Sequence, residues 1–281
     1  MKKSTVIALI IIVCGVILLG VSFAAAKGEL ENYSFFEQKL TASEYSAKSD
    51  IKEIRISEYS EDIVIKESDT DKVFVKYYQN EKNSLKIVEK DGVLTLERER
   101  DYIDFNINLS AKDTDTVVSV PKGYGGVISV NASSSDVEIY GVTQDKTSVD
   151  VSSGSVSLEN VKGGELSLES TSGEIELSDV NASFVKCKTT SGEVEFENLT
   201  CDLIECKTTS GEIEFSDVDS KDIKFYSSSG SIEGNLLKRK SDYKISVRTT
   251  SGDTNLYPSD SGERKLDIET TSGDVKIDFA D

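Results

Sequence analysis

Short runs of alternating apolar and polar residues return along the second half of this chain, each set against a Ser-Gly pair. Counting from the glycine, apolar residues fall at −7, −5, +2, +4 and +7. The −7 column reads Leu166, Val185, Ile204, Ile223, Ile245 and Leu266, and the −5 column Leu168, Cys187, Cys206, Phe225, Val247 and Ile268. The +2 column reads Val156, Ile175, Val194, Ile213, Ile232 and Val275, with Thr254 as an exception. The +4 column reads Leu158, Leu177, Phe196, Phe215, Leu256 and Ile277, with Gly234 as a gap. Alternation with period two predicts strands that bury one face. A helix would need apolar residues three and four apart, and the many Ser, Thr and Gly residues argue against one.

The glycines are Gly154, Gly173, Gly192, Gly211, Gly230, Gly252 and Gly273, separated by 19, 19, 19, 19, 22 and 21 residues. Ser135 stands 19 residues before Gly154 and reads as an earlier copy without its glycine. A period near 20 is too short for a domain and suits one coil of a solenoid. Each coil is then two strands joined at the Ser-Gly corner, where glycine is expected to supply a positive φ. Successive coils are expected to stack in register about 4.8 Å apart. The predicted fold is all-β, a single-stranded parallel β-helix. The copies lack the hexapeptide rhythm of left-handed forms, which favours a right-handed one.

Before the regular coils, strand-like runs begin at Ile51, and Asp91-Gly92 is a hairpin turn signal. Pro121, Gly123, Gly125 and Gly126 mark a turn inside VVSVPKGYGGVISV. This part is expected to cap one open end of the solenoid, and the charged last strand, 275–279, to protect the other. The predicted organisation is an anchor over 1–26, a linker over 27–49 and a β-helix over 50–281, irregular over 50–126 and regular over 127–281.

The anchor rests on the 23 residues from Ser4 to Ala26, which carry no charge and are long enough to span a bilayer core. Ala24-Ala25-Ala26 also resembles a signal cleavage site, but secretory apolar regions are shorter, about 7–15 residues. Both readings export the bulk of the chain, and a retained anchor keeps Lys2 and Lys3 in the cytoplasm. The whole chain has 32 basic and 51 acidic side chains, a net charge of −19, or −21 without Lys2 and Lys3. A field of that sign opposes nucleic acid and anionic lipid surfaces, and it favours solubility and cationic partners.

Chemistry is sparse. The chain contains no histidine, which removes Ser-His and Cys-His catalysis, and it has no P-loop and no GxGxxG. Glu174, Glu193 and Glu212 form one outward column. Glu176, Glu195 and Glu214, continued by Glu233, form another. Stacked carboxylates about 5 Å apart match the separation in retaining glycosidases. A catalytic pair should be local, however, and these recur coil after coil. A Ca²⁺ site needs 6–8 converging oxygens, whereas straight ladders diverge into solvent. The six glutamates are therefore at most a cation ladder, offset in part by Lys186, Lys188, Lys207, Lys224 and Arg248 on the preceding strand. No catalytic, cofactor-binding or true metal residue is assigned. Cys187 and Cys206 share an inward column, as a core pair or a disulfide, and Cys201 is placed in a corner loop. Adjacent threonines at the corner, such as Thr189-Thr190, are expected to bond nearby backbone.

The uncharged N-terminal span, the segment KIVEKDGVLTLER, the VPKGYGG turn and the TSGE-type coils resemble the LiaG-like adhesin family of bacterial envelope proteins, over about residues 50–281. The resemblance implies a membrane-anchored extracytoplasmic β-helix and brings no catalytic motif and no cofactor. The expected function is a noncatalytic envelope module, adhesin-like or accessory to envelope-stress signalling. Its expected partner is an envelope polymer or a membrane or envelope protein. The alternative is a carbohydrate-active β-helix enzyme using stacked carboxylates, which would show an acidic cluster unique to one coil.

Overall fold

The computed structural model describes residues 40–100 and 114–281. The predicted span, 4–26, and most of the predicted linker lie outside the described residues. Among the described residues no helix is long and apolar enough to cross a membrane. They form an all-β solenoid whose one helical element is the 3₁₀ turn Lys240–Asp242.

The central coils follow the column pattern. Each contributes one nine-residue strand and one four-residue strand. The long strands are β10 (Thr143–Val151), β12 (Lys162–Ser170), β14 (Asn181–Thr189) and β16 (Thr200–Thr208). The short strands are β9 (Val137–Tyr140), β11 (Val156–Glu159), β13 (Ile175–Ser178) and β15 (Val194–Glu197). Long strands pair with long strands and short with short, all parallel and in register. β17 (Ile213–Ser227) joins both ladders, its first residues pairing with β15 and its last with β16. The apolar columns from both ladders meet between them, and nearly every predicted column residue is buried, Val247 only half so. The gap at Gly234 has a steric reason: a Cβ there would lie 2.6 Å from the Phe215 ring of the adjacent coil.

The two corners of each coil use different devices. The Ser-Gly glycines do not adopt positive φ. They are needed because coils approach closely: a Cβ on Gly192 would sit 1.8 Å from the carbonyl oxygen of Gly173, and one on Gly211 would sit 1.7 Å from that of Gly192. The residue three before the glycine turns its hydroxyl inward. Thr189, Thr208 and Ser227 accept the glycine N–H at 2.8–2.9 Å, so the expectation that corner side chains bond backbone holds. Positive φ occurs instead at the second corner, at Gly141, Asn160, Asp179, Asn198 and Asp217. Asn and Asp tolerate this conformation best after glycine. Their side chains also link coils: Asn198 donates to Asp179, and Asn235 donates to Asp217 at 3.0 Å.

The ends depart from simple winding. β2 (Glu53–Glu58) pairs in parallel with both β6 (Val93–Arg100) and β8 (Val127–Ala132). β3 (Ile63–Ser68) likewise pairs with β7 (Thr116–Pro121) and β9. The 50–126 region thus holds two ordinary coils beneath an antiparallel cap of β1 (Thr41–Ser46), β4 (Phe74–Gln79) and β5 (Asn83–Lys90). β1 lies inside the predicted linker. Only Ser43 and Tyr45 of this strand are half-buried, so its alternation was too weak to read, and its pairing with β4 makes it a strand. The hairpin at Asp91-Gly92 joins β5 to β6, with both residues at positive φ.

At the other end β18 (Ile232–Leu236) pairs with β21 (Val275–Phe279), and β19 (Tyr243–Thr249) pairs with β20 (Arg264–Thr270). β20 also pairs with β17. The last strand of the chain is therefore not the protective edge it was expected to be. The outer coil is β19 with Thr254, and Ser259 closes its edge by two hydrogen bonds to Ile245.

Candidate functional site

The outer surface of the short-strand ladder carries the predicted acidic columns. Glu176 pairs with Glu195, Glu195 with Glu214, and Glu214 with Glu233. Ser157 precedes this row and Lys276 follows it. Strand spacing sets the steps at about 4.8 Å. Glu174, Glu193 and Glu212 lie one step along each coil, and Glu159 and Glu197 on the far side. Alternation points all of them outward, because Ile175, Leu177, Val194, Phe196, Ile213 and Phe215 point in. None of the seven glutamates of the first two columns, Glu233 included, joins an ion pair among the described residues. Partial burial, then the neighbouring glutamates, push the carboxyls of Glu176 and Glu193 above the ordinary range.

The outer surface of the long-strand ladder is the opposite. Most of its acids meet a base in a neighbouring coil, although Asp150 stands beside Glu169 and Lys188 beside Lys207. Lys146 meets Glu165 at 2.9 Å, Lys188 meets Glu169 at 3.0 Å, Lys221 meets Asp202 at 2.6 Å, Lys224 meets Glu205 at 2.8 Å and Arg248 meets Glu269 at 3.2 Å. Lys186 also approaches Glu169, and Lys207 lies over the Tyr226 ring. The basic residues expected to offset the glutamate ladder are thus spent on their own face. The sequence held the signal: most of these pairs are opposite charges one coil length apart.

The geometry gives the ladder no converging centre. Among the described residues no three Cys, Asp or Glu side chains gather to hold a metal ion. A groove of about 290 Å³ runs instead where the long strands begin, past Gly163, Ala182, Cys201, Asp219, Lys221 and Arg264, and no ladder glutamate lines it. Cys201 lies within β16 and is buried, not in a corner loop, and burial pushes its thiol up to about 11. Cys187 and Cys206 are in-register neighbours and free, with thiols raised by burial. They serve as core side chains.

Residues 51–278 match the sequence profile of Toastrack DUF4097. The chain belongs to the Toastrack family. No curated protein matches it. Several solved structures share the fold of this chain at low identity. A proposed adhesin from Bacteroides fragilis has 17% identity and a TM-score of 0.57, with 87% of this chain and 98% of that one covered. A proposed lipid-binding protein from Parabacteroides distasonis has 19% identity and a TM-score of 0.53, covering 86% and 97%. A proposed adhesin from Parabacteroides merdae has 15% identity and a TM-score of 0.53, covering 87% and 98%. At these identities the likeness is one of fold.

Proposed function

We propose that this Toastrack protein is a noncatalytic binding module of the bacterial envelope, and that its short-strand face is the contact surface for a cationic partner. The observation that carries the reading is the contrast in charge pairing. The long-strand face pairs most of its acids with bases between coils, while the short-strand face repeats glutamates over four coils, with one base, Lys276, at the end of the row. A flat row of carboxylates with no converging pocket favours many weak contacts to an extended or basic surface over chemistry on one bond. The names of the structural neighbours, adhesins and a lipid-binding protein, support a binding role.

Residues 4–26 hold the chain in the membrane, with Lys2 and Lys3 cytoplasmic and residues 50–281 outside. The partner is an envelope polymer or an envelope protein, and nucleic acid is repelled. The winding is right-handed, as nearly all parallel crossovers are. The resemblance to LiaG-like proteins supports an accessory role beside envelope-stress systems.

Photo-crosslinking in native membranes tests this. A crosslinker at Glu195 on the short-strand face is expected to capture neighbours that one at Glu205 on the long-strand face does not. Glu176→Lys with Glu214→Lys should weaken that capture. Equal capture from both faces, or capture indifferent to charge reversal, overturns the reading. Protease added to wall-stripped cells should digest residues 50–281, and protection of that region overturns the topology.

A further inference from the structure

Winding alone would place the first and last coils of the chain at the two ends of the stack. Neither is there. The coil of β2 and β3 lies between that of β6 and β7 and that of β8 and β9. The coil of β20 and β21 lies between that of β17 and β18 and that of β19 and Thr254. The corner glycines report the same order. A Cβ on Gly273 would strike the carbonyl oxygen of Gly230 at 2.2 Å, and one on Gly252 that of Gly273 at 2.1 Å.

An arginine lies across a boundary of each inserted coil. Arg98, on the outer strand β6, has a fully buried side chain. Its Nε donates to both carboxylate oxygens of Glu58 on the inserted β2, at 3.0 and 3.1 Å. Its Nη1 donates to the Tyr78 carbonyl of β4 at 2.9 Å, and its Nη2 donates to Thr116 Oγ1 of β7 at 3.1 Å. Arg264 opens the inserted β20. Its Nη1 donates to Asp219 Oδ1 at 2.7 Å and to the Ser220 carbonyl at 2.9 Å, both on β17. Its guanidinium lies 6.0 Å from the Tyr243 ring centre on β19, the neighbour on the opposite side. Asp219 is held a second time by Lys238 at 2.9 Å.

A solenoid with free ends loses coils singly, because a terminal coil has one interface to break. An inserted coil has two. We propose that Arg98 and Arg264 are latches that hold the chain-terminal coils inside the stack, so that local opening follows stack order and not chain order. This inference is independent of the proposed function. It predicts a module whose first and last coils resist fraying because each lies inside the stack.

Hydrogen exchange read by mass spectrometry on the full chain in detergent tests it. Amides of β20 and β21 should exchange as slowly as those of β14 and β16, and those of β19 should exchange faster, although β19 comes earlier in the chain. Arg264→Gln should speed exchange in β20 and β21 by about tenfold or more and leave β12 and β14 unchanged. Arg264→Lys, which keeps the charge, should recover part of the protection. If Arg264→Gln does not fold, Asp219→Ala removes the acceptor from the other side and is read the same way. Faster exchange in β20 than in β19 overturns the proposal. So does equal acceleration across all coils, or no change in β20 and β21.

Discussion

The long-strand and short-strand faces of this solenoid come from one repeat, yet they handle charge in opposite ways. On the long-strand face an acid in one coil meets a base in the next, as Glu205 meets Lys224. On the short-strand face an acid meets another acid, as Glu195 meets Glu214. Both faces rest on the same buried columns, so the difference is not required by the core. A repeat fixes where side chains point, and the choice of charge at each outward column is then free. Spending that freedom on repulsion costs stability, and the proposed contact surface is the face that bears the cost.

The largest test separates core from face. Ile213→Asp should lose more than about 4 kcal/mol in denaturant unfolding, because it places a charge between stacked coils with no partner. Glu214→Lys, the next residue, should be neutral or stabilising, since it meets Glu195 and Glu233 with opposite charge. Similar losses in the two variants would dissolve the distinction between inside and outside on which the two faces depend.

Acidity sharpens the contrast next. Burial pushes the Glu58 carboxyl up to about 7 against the pull of Arg98. Glu176 and Glu193 on the short-strand face are raised as well, by partial burial and then by the neighbouring glutamates. An acid raised above its unfolded value of 4.5 stabilises the fold fully below that value, and the gain is lost as pH rises through the folded pKa. Tm should therefore be higher at pH 5.5 than at pH 8. Glu58→Gln should flatten most of the profile, and Glu176→Gln with Glu193→Gln a smaller part. Glu89 works in the other direction: hydrogen bonds from Lys48 N–H, Ser49 and Tyr45 hold it at about 2, so its contribution is lost only below about pH 4.5. A Tm that rises from pH 5.5 to pH 8 would refute the assignment.

A smaller effect separates the faces by single charges. Lys224→Glu on the long-strand face should cost up to about 1 kcal/mol, the scale of an exposed ion pair. The smallest expected effect concerns Ca²⁺. One carboxylate per coil and column cannot surround an ion, so NaCl at matched ionic strength should reproduce the Ca²⁺ effect on Tm. A saturable Ca²⁺ effect, lost in Glu193→Gln with Glu212→Gln, would turn the ladder into a site.

The sequence made the coil legible because alternation and a constant period jointly fix register. Val194 and Ile213 share an inward column as expected, and Glu195 and Glu214 share an outward one. The glycine corner was visible, but its reason was not: crowding between Gly192 and the Gly173 carbonyl appears only once coils are stacked. The second corner was legible in principle, since Gly141, Asn160, Asp179, Asn198 and Asp217 stand at one offset. The stacking order at the ends was not. β19 and β20 carry the same apolar pattern, so periodicity cannot say which of them meets β17. In the observed order Arg264 of β20 meets Asp219 of β17, two residues far apart in the chain. The acidic columns were placed correctly, but their supposed neutralisation was not, because side chains on the two ladders face different directions.

The close contact of each corner glycine with the carbonyl above it has a consequence for how this chain can change length. Between β10 and β16 every coil offers its neighbours the same surface on both sides. A duplicated stretch of 19 residues there meets a ready-made socket above and below, and it extends the protein's reach by about 4.8 Å. Copied from the coil of β13 or β15, it also adds one glutamate to each of the two acidic columns. The fastened ends would not register the change. Reach and total charge can thus vary together in the middle of this protein, one cassette at a time, with its ends untouched.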